Sequence, residues 1–347
     1  MNVIATQDAT TQDAKSAASG MRDPIETARA WIDEHGKVAL ATVVSTWGSA
    51  PVPVGGQLVV GPDDRFQGSI SGGCVEGDVI AEAADVMAGG RPRLMEFGVA
   101  EETAWRAGLP CGGTIKVLLE PLARARDAGY IDQILAARRL RSSLVVTTNV
   151  VTGTRQVFGP GMATPPEVAR CLSNGDSRLI DLPEGNVFVH TLQPPVRVVI
   201  AGGTNIGQVL AELARQVGYD VIVVDPRAAF VTAERFGATS SRTEWPEVSL
   251  TTLGLDARTA VVALTHAAHI DDEALSVALR SDCLYIGALG SKRTHAKRLE
   301  RLEAAGFGKN ELARIHAPIG LSIGAQGPAE IAVSILAEII KVARGAT

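Results

Sequence analysis

The sequence predicts an α/β protein in which an N-terminal α+β part precedes a part built on a parallel sheet. Three observations carry this. Segments rich in Val, Ile, Leu and Ala recur throughout, with only 4% aromatic residues to fill the cores. The pair Pro194-Pro195 then punctuates the chain sharply. Beyond it, continuous apolar strands alternate with helical stretches, the grammar of a sheet covered on both faces. A length of 347 residues gives room for about two such domains.

Residues 1–22 are polar and lack the apolar segment of a secretory signal, so they are expected to form a disordered tail. Residues 23–190 read as the α+β domain with a connecting segment, and residues 191–347 as the parallel-sheet domain. Asp23 is a good N-cap, Pro24 suits the first helical position, and Glu26 is placed for a capping box. Ile25, Ala28, Trp31 and Ile32 follow at helical spacing. A buried strand is expected over 37–45. Residues 57–60 and 65–70, separated by Gly61-Pro62-Asp63-Asp64, read as a hairpin. A helix over 75–87 closes at Gly89-Gly90, and a strand follows over 114–120. The connecting segment holds a helix over 128–141 and strands over 143–147 and 186–191. In the last part strands are expected over 197–201, 220–224, 259–264 and 283–287, with a helix over 208–218 and a final helix from Pro328.

Composition narrows the function. The formal charge is -5, and no run of Lys and Arg is long enough to track a nucleic-acid backbone. The densest basic stretch, Lys292 to Arg301, also contains Glu300 and reads as the solvated face of a helix. No segment approaches the roughly 20 apolar residues that cross a bilayer. A cytoplasmic protein with reduced thiols, no nucleic-acid partner and no membrane partner is therefore expected.

Two of the four cysteines lie in glycine-lined loops, Ser71-Gly72-Gly73-Cys74-Val75-Glu76 and Gly108-Leu109-Pro110-Cys111-Gly112-Gly113. Glycine removes the side-chain barrier around the sulfur and lets a ligand approach. Cys74 precedes a helix, whose N-terminus favours a thiolate. The separation of Cys74 from Cys111 matches no compact zinc motif, and no histidine lies near either loop to serve as a base. A ligand contact, a nucleophile and a reversible cysteine pair all stay open. Cys171 falls in a helical pattern and Cys283 in a strand, which points to burial.

In the second part, the strand over 197–201 runs into Gly202-Gly203-Thr204-Asn205-Ile206-Gly207, and the following strand ends at Asp225. Strand, glycine turn, helix, strand and terminal acid make this a Rossmann-like domain. Gly202, Gly203, Asn205 and Gly207 would face a phosphate, and Asp225 would accept ribose hydroxyls. Thr204 replaces the middle glycine and would crowd a pyrophosphate. Two further strand ends open into Thr265-His266-Ala267-Ala268-His269 and Leu289-Gly290-Ser291-Lys292-Arg293. His266 is placed to touch a ligand, and Ser291, Lys292 and Arg293 form a helix start suited to a phosphate. Read alone, this half allows an NAD(P)-dependent oxidoreductase, and the cysteine half allows a redox regulator.

Several segments together resemble the xanthine dehydrogenase accessory protein family (XdhC/CoxI). They are the stretch from Ala41 through Trp47-Gly48-Ser49-Ala50-Pro51, both cysteine loops, Tyr285-Ile286-Gly287, Gly290-Ser291-Lys292-Arg293, His316-Ala317-Pro318-Ile319-Gly320 and Ile331-Ala332-Val333-Ser334-Ile335. The resemblance implies a chaperone, not an enzyme. Such a chaperone binds the molybdenum cofactor (molybdopterin, with or without a nucleotide) and protects it while a cysteine desulfurase adds sulfur. It then delivers the cofactor to an apo molybdenum hydroxylase of the xanthine dehydrogenase or carbon monoxide dehydrogenase type. On this reading Cys74 and Cys111, flanked by Gly72, Gly73 and Gly112, contact the metal end, since soft thiolates suit molybdenum. A homodimer is the default oligomer. The sequence departs from the family's Gly-x-Gly-His-x-Gly turn at Thr204 and Asn205, and from its Thr-His-Asp-His stretch at Ala267 and Ala268.

Overall fold

The computed structural model describes residues 23–98, 113–182 and 185–345. The tail over 1–22 and the site residues Cys111 and Gly112 lie outside them. Contacts divide the chain into two compact units that meet in sequence between Pro194 and Pro195.

The first unit runs α1 (Pro24–His35), β1 (Lys37–Trp47), β2 (Gln57–Val60), β3 (Phe66–Gly68), α2 (Glu76–Gly89), β4 (Arg93–Phe97) and β5 (Thr114–Ala123). It continues through α3 (Arg124–Arg139), β6 (Leu144–Asn149), β7 (Arg155–Phe158), α4 (Pro166–Asn174), β8 (Arg178–Leu182) and β9 (Gly185–Leu192). The first five strands form an antiparallel sheet in the order β3-β2-β1-β5-β4. β1 is buried without interruption from Val38 to Val44, Thr42 included, because both its faces are covered. Ala39, Ala41 and Val43 pack toward α2 residues Val79, Ala83 and Val86. Val38 and Leu40 pack with Ile25 and Ile32 of α1 and Ile131 and Ile134 of α3. The remaining strands make a second antiparallel sheet, β7-β6-β9-β8, on which Val168 and Cys171 of α4 pack.

The second unit runs β10 (Arg197–Ala201), α5 (Asn205–Gln216), β11 (Asp220–Val224), α6 (Ala233–Phe236), β12 (Ser240–Arg242), α7 (Pro246–Leu253) and β13 (Thr259–Ala263). It ends with α8 (Ala268–Leu279), β14 (Tyr285–Ala288), α9 (Lys292–Ala304), α10 (Lys309–Leu312), β15 (Ile315–His316) and α11 (Gly327–Ala343). All six strands are parallel, in the order β12-β11-β10-β13-β14-β15. The winding direction reverses between β10 and β13, the switch point at which doubly wound sheets open a crevice. Val198 and Ile200 bury against α5 and α11, while Val199 and Ala201 bury against α7 and α8.

The long buried strands lie where their apolar runs place them. β4, β7, β8, β12 and β15, which the sequence pattern does not predict, are all edge strands. An edge strand is half solvated, so charged residues such as Arg93 and Glu96 interrupt the apolar pattern. The hairpin strand expected over 65–70 stops at Gly68, and α2 starts at Glu76. Both shifts have one cause, the Glu76 carboxylate.

Candidate functional site

In the first unit, Cys74 sits in a loop built around Glu76. The Glu76 carboxylate accepts hydrogen bonds from the amides of Ile70, Ser71, Gly72 and Gly73, at 2.9 to 3.1 Å, and from the Ser69 hydroxyl at 2.8 Å. The Ser71 hydroxyl donates to it as well. That hydroxyl oxygen in turn accepts from the amides of Cys74 and Val75, both at 3.0 Å. Gly72 and Gly73 take φ of +77° and +113°, which a side chain would resist, so the amides can converge on one anion. Burial alone would raise the Glu76 carboxyl. The hydrogen bonds from Ser71, Ser69 and the backbone outweigh it and hold the pKa at about 2. The anion cradle that the sequence offers to a ligand or thiolate is thus filled by the chain's own carboxylate, which fixes the shape of the Cys74 loop.

Cys74 itself is half-buried and carries a free thiol. Its loop lies against Pro51, whose Cγ is 3.6 Å from where a Gly72 Cβ would stand. Gly113, the first described residue after the Cys111 loop, abuts the same stretch: a Cβ there would meet the carbonyls of Trp47 and Ser49, each at 2.7 Å. The stretch from Trp47 to Pro51 therefore touches both the Cys74 loop and Gly113. Cys171 and Cys283 are buried, and burial pushes both thiols up.

In the second unit the glycine turn is internally satisfied. Asp225 is fully buried, and its carboxylate accepts from the Gly203 amide at 2.9 Å and from the amide and guanidinium of Arg227 at 2.7 to 3.0 Å. Burial opposes its charge, but these hydrogen bonds hold the Asp225 carboxyl below the usual carboxylate range. Thr204 is the N-cap of α5 and takes the Gly207 amide at 3.2 Å. Arg235 donates to the Gly203 carbonyl at 2.9 Å and to the Asn205 side chain at 3.3 Å. A Cβ on Gly203 would stand 2.3 Å from the Phe230 carbonyl, so that turn needs a glycine for chain packing alone. Both oxygens of the acid expected at a ribose are already in use.

The neighbouring strand ends form an open basic hollow. Gly202 touches the Leu264-Thr265 backbone, so the turn and the β13 loop are adjacent. There Asp271 accepts from the Thr265 amide at 3.1 Å and hydroxyl at 2.6 Å. His266 is exposed and held at φ +59°, an uncommon conformation for a residue with a side chain. His266, Asp271, Leu289, Arg293, Lys297, Arg298 and Arg301 line a cavity of about 210 Å³. Ser291 caps α9 through the Thr294 amide at 3.2 Å, whereas Lys292 does not line this cavity. His269 faces elsewhere, its ring 5.9 Å from that of Trp245. Among the described residues no group of three or more His, Cys, Asp or Glu could hold one metal ion.

The stretch from Lys292 to Arg301 is not simply a solvated face, because Arg298 is only 2% exposed and reaches the Leu289 carbonyl at 2.8 Å. Arg293, Lys297 and Arg301 recur every fourth residue and so share one helix face, a spacing that does not single out Arg298.

A model of the XdhC and CoxI family matches residues 31–98, and a model of the XdhC Rossmann domain matches residues 198–339. The chain is 31% identical over 306 residues to a molybdenum cofactor insertion chaperone, PaoD, of Escherichia coli (strain K12), covering 87% of this chain and 82% of that one. The chain belongs to the XdhC and CoxI family. A further relative is a probable xanthine dehydrogenase subunit of Bacillus subtilis (strain 168), 29% identical, with 90% of this chain and 95% of the relative aligned. A crystal structure described as a xanthine dehydrogenase from Bacillus halodurans superposes with a TM-score of 0.75 at 26% identity, covering 94% of this chain and 97% of that one. The family motif from His316 to Gly320 has a structural task here. Glu338 of α11 accepts from the Tyr285 hydroxyl at 2.5 Å and the Gly320 amide at 2.8 Å, and lies 3.2 Å from the His316 ring. No described helix of this XdhC and CoxI member is long and apolar enough to cross a membrane.

Proposed function

We propose that this protein is a molybdenum cofactor insertion chaperone serving an apo molybdenum hydroxylase of the xanthine dehydrogenase type. The observation that carries the reading is the free, half-buried Cys74 in a loop held rigid by Glu76. The names of the E. coli and B. subtilis relatives support it. Gly113, two residues after Cys111 in sequence, packs on the same Trp47-to-Pro51 stretch as the Cys74 loop. Soft thiolates suit a molybdenum cargo and its sulfur ligands, and Cys111 is the second candidate by its place in the sequence. A rigid loop holds such a ligand without closing a permanent site, which a protein that must release its cargo requires. Binding of about micromolar strength, about -8 kcal/mol, would allow that release.

The cargo's phosphate or nucleotide end is assigned to the second unit, at the crevice of its parallel sheet. An NAD(P)-dependent oxidoreductase fits less well, since Asp225 is spent on Gly203 and Arg227. Holding the cofactor while a cysteine desulfurase adds sulfur, and assembling as a homodimer, belong to the same proposal. The test is a handover: the chain is loaded with cofactor and mixed with apo-hydroxylase, and recovered activity is followed. Transfer faster and more complete than from free cofactor is expected, with the gain lost in Cys74→Ala. Equal rates with and without the chain would remove the proposal.

A further inference from the structure

We infer that the basic hollow at the ends of β13 and β14 is a recognition site for a phosphoryl or diphosphate group, with Arg298 at its floor. Arg298 carries the argument. It is 2% exposed, yet its Nε and Nη1 have no hydrogen-bond partner among the described residues. Only Nη2 is engaged, by the Leu289 carbonyl at 2.8 Å and, at 3.8 Å, by Asp271. A buried guanidinium with unused donors is costly, and its planar fork matches the oxygens of a phosphoryl group.

The surroundings agree in charge and size. Arg293 and Lys297 line the rim, and among the described residues the cavity wall holds no acidic group beyond Asp271, whose Oδ1 is already taken by Thr265. Arg301 is drawn aside by Asp272, at 2.5 and 3.0 Å. A volume of about 210 Å³ lies below the roughly 300 Å³ at which drug-sized ligands begin to be enclosed, so the hollow suits a phosphoryl group and not a whole nucleotide. The larger hollow beside Arg155 in the first unit lacks this imbalance, because Arg155 pairs with both Glu120 and Asp127, at 2.8 and 2.7 Å. The glycine turn has no such appetite either, its Gly203 and Gly207 amides being occupied.

The assignment of this group to the cargo rests on the chaperone reading; the anion recognition itself does not. It can be tested without molybdenum. The full chain is titrated by calorimetry with inorganic phosphate, pyrophosphate and a nucleoside diphosphate. Pyrophosphate should bind, and the double variant Arg293→Ala, Lys297→Ala should weaken it tenfold or more while keeping the wild-type circular dichroism spectrum. Arg298→Lys, which keeps the charge but loses the fork, should weaken it as well, and Lys309→Ala, outside the hollow, should not. Phosphate binding as tightly as pyrophosphate would assign a terminal phosphomonoester; preference for the diphosphates would assign a bridging diphosphate. No binding by wild type, or equal binding by the rim variants, overturns the inference. Cofactor retention through Cys74 could survive that result, so the two failures are distinguishable.

Discussion

Replacing Glu76 by Gln is the most informative perturbation of the cysteine loop. The carboxylate accepts from four amides and two hydroxyls, and Gln would turn an NH2 group toward donors that need an acceptor. The size of the effect follows from the acidity of the group. A fall from an ordinary 4.5 to about 2 corresponds to about 3 kcal/mol of stability at neutral pH. For a unit of this size that is roughly 6–12 °C in melting temperature. Differential scanning calorimetry of the full chain at pH 7 should therefore show the first unit of Glu76→Gln melting about 6–12 °C lower. Glu96→Gln, which removes an exposed pair with Lys116, should stay within about 0.5 kcal/mol of wild type. The pH dependence has a fixed sign. Because the folded pKa is depressed, the stabilisation is complete above the unfolded value and is lost as pH falls from 4.5 toward 2. The gap between wild type and variant should close over that window. A Glu76→Gln protein that melts with wild type at pH 7 would refute the claim that this carboxylate shapes the loop.

Three further outcomes follow from other parts of the fold. His190 is buried, and burial with Arg138 nearby lowers its pKa to about 4. The folded state thus resists protonation, and the first unit should lose about 3 kcal/mol as pH falls from 6.5 to 4; His190→Gln should flatten that slope in pH-dependent melting. Gly203→Ala should cost the second unit about 2 kcal/mol or more, since its Cβ has the Phe230 carbonyl at 2.3 Å; an unchanged calorimetric transition would contradict this. In the basic hollow, pyrophosphate should raise the melting temperature of wild type and leave the Arg293→Ala, Lys297→Ala protein unmoved, as dye-monitored melting would report.

How much of this was legible in the sequence depends on burial. Strands covered on both faces, such as β1 and β10, announce themselves as runs dominated by Val, Ile, Leu and Ala, and the Rossmann turn with its terminal Asp225 is readable from spacing. Edge strands such as β4 were not, because solvent on one side permits charges that break the pattern. The site was legible as residue types and only partly as roles. Asp225 looked like a ribose acceptor, but Arg227, two residues on, occupies it, a local pairing that motif spacing does not weigh. Glu76 reads from the sequence only as a neighbour of the Cys74 thiol and is the anchor of its loop. Arg298 looked solvated, because nothing in a run of basic residues says which one the helix turns inward.

On the proposed function, Cys74 and Cys111 hold a molybdenum cargo. The direct measurement is the molybdenum-to-protein ratio after the purified chain is incubated with the cofactor and desalted, with pterin measured on the same sample. Wild type should retain both, and Cys74→Ala and Cys111→Ala should each retain much less at unchanged melting temperature. Equal molybdenum and pterin on wild type and both variants, or none on any of them, would contradict the account.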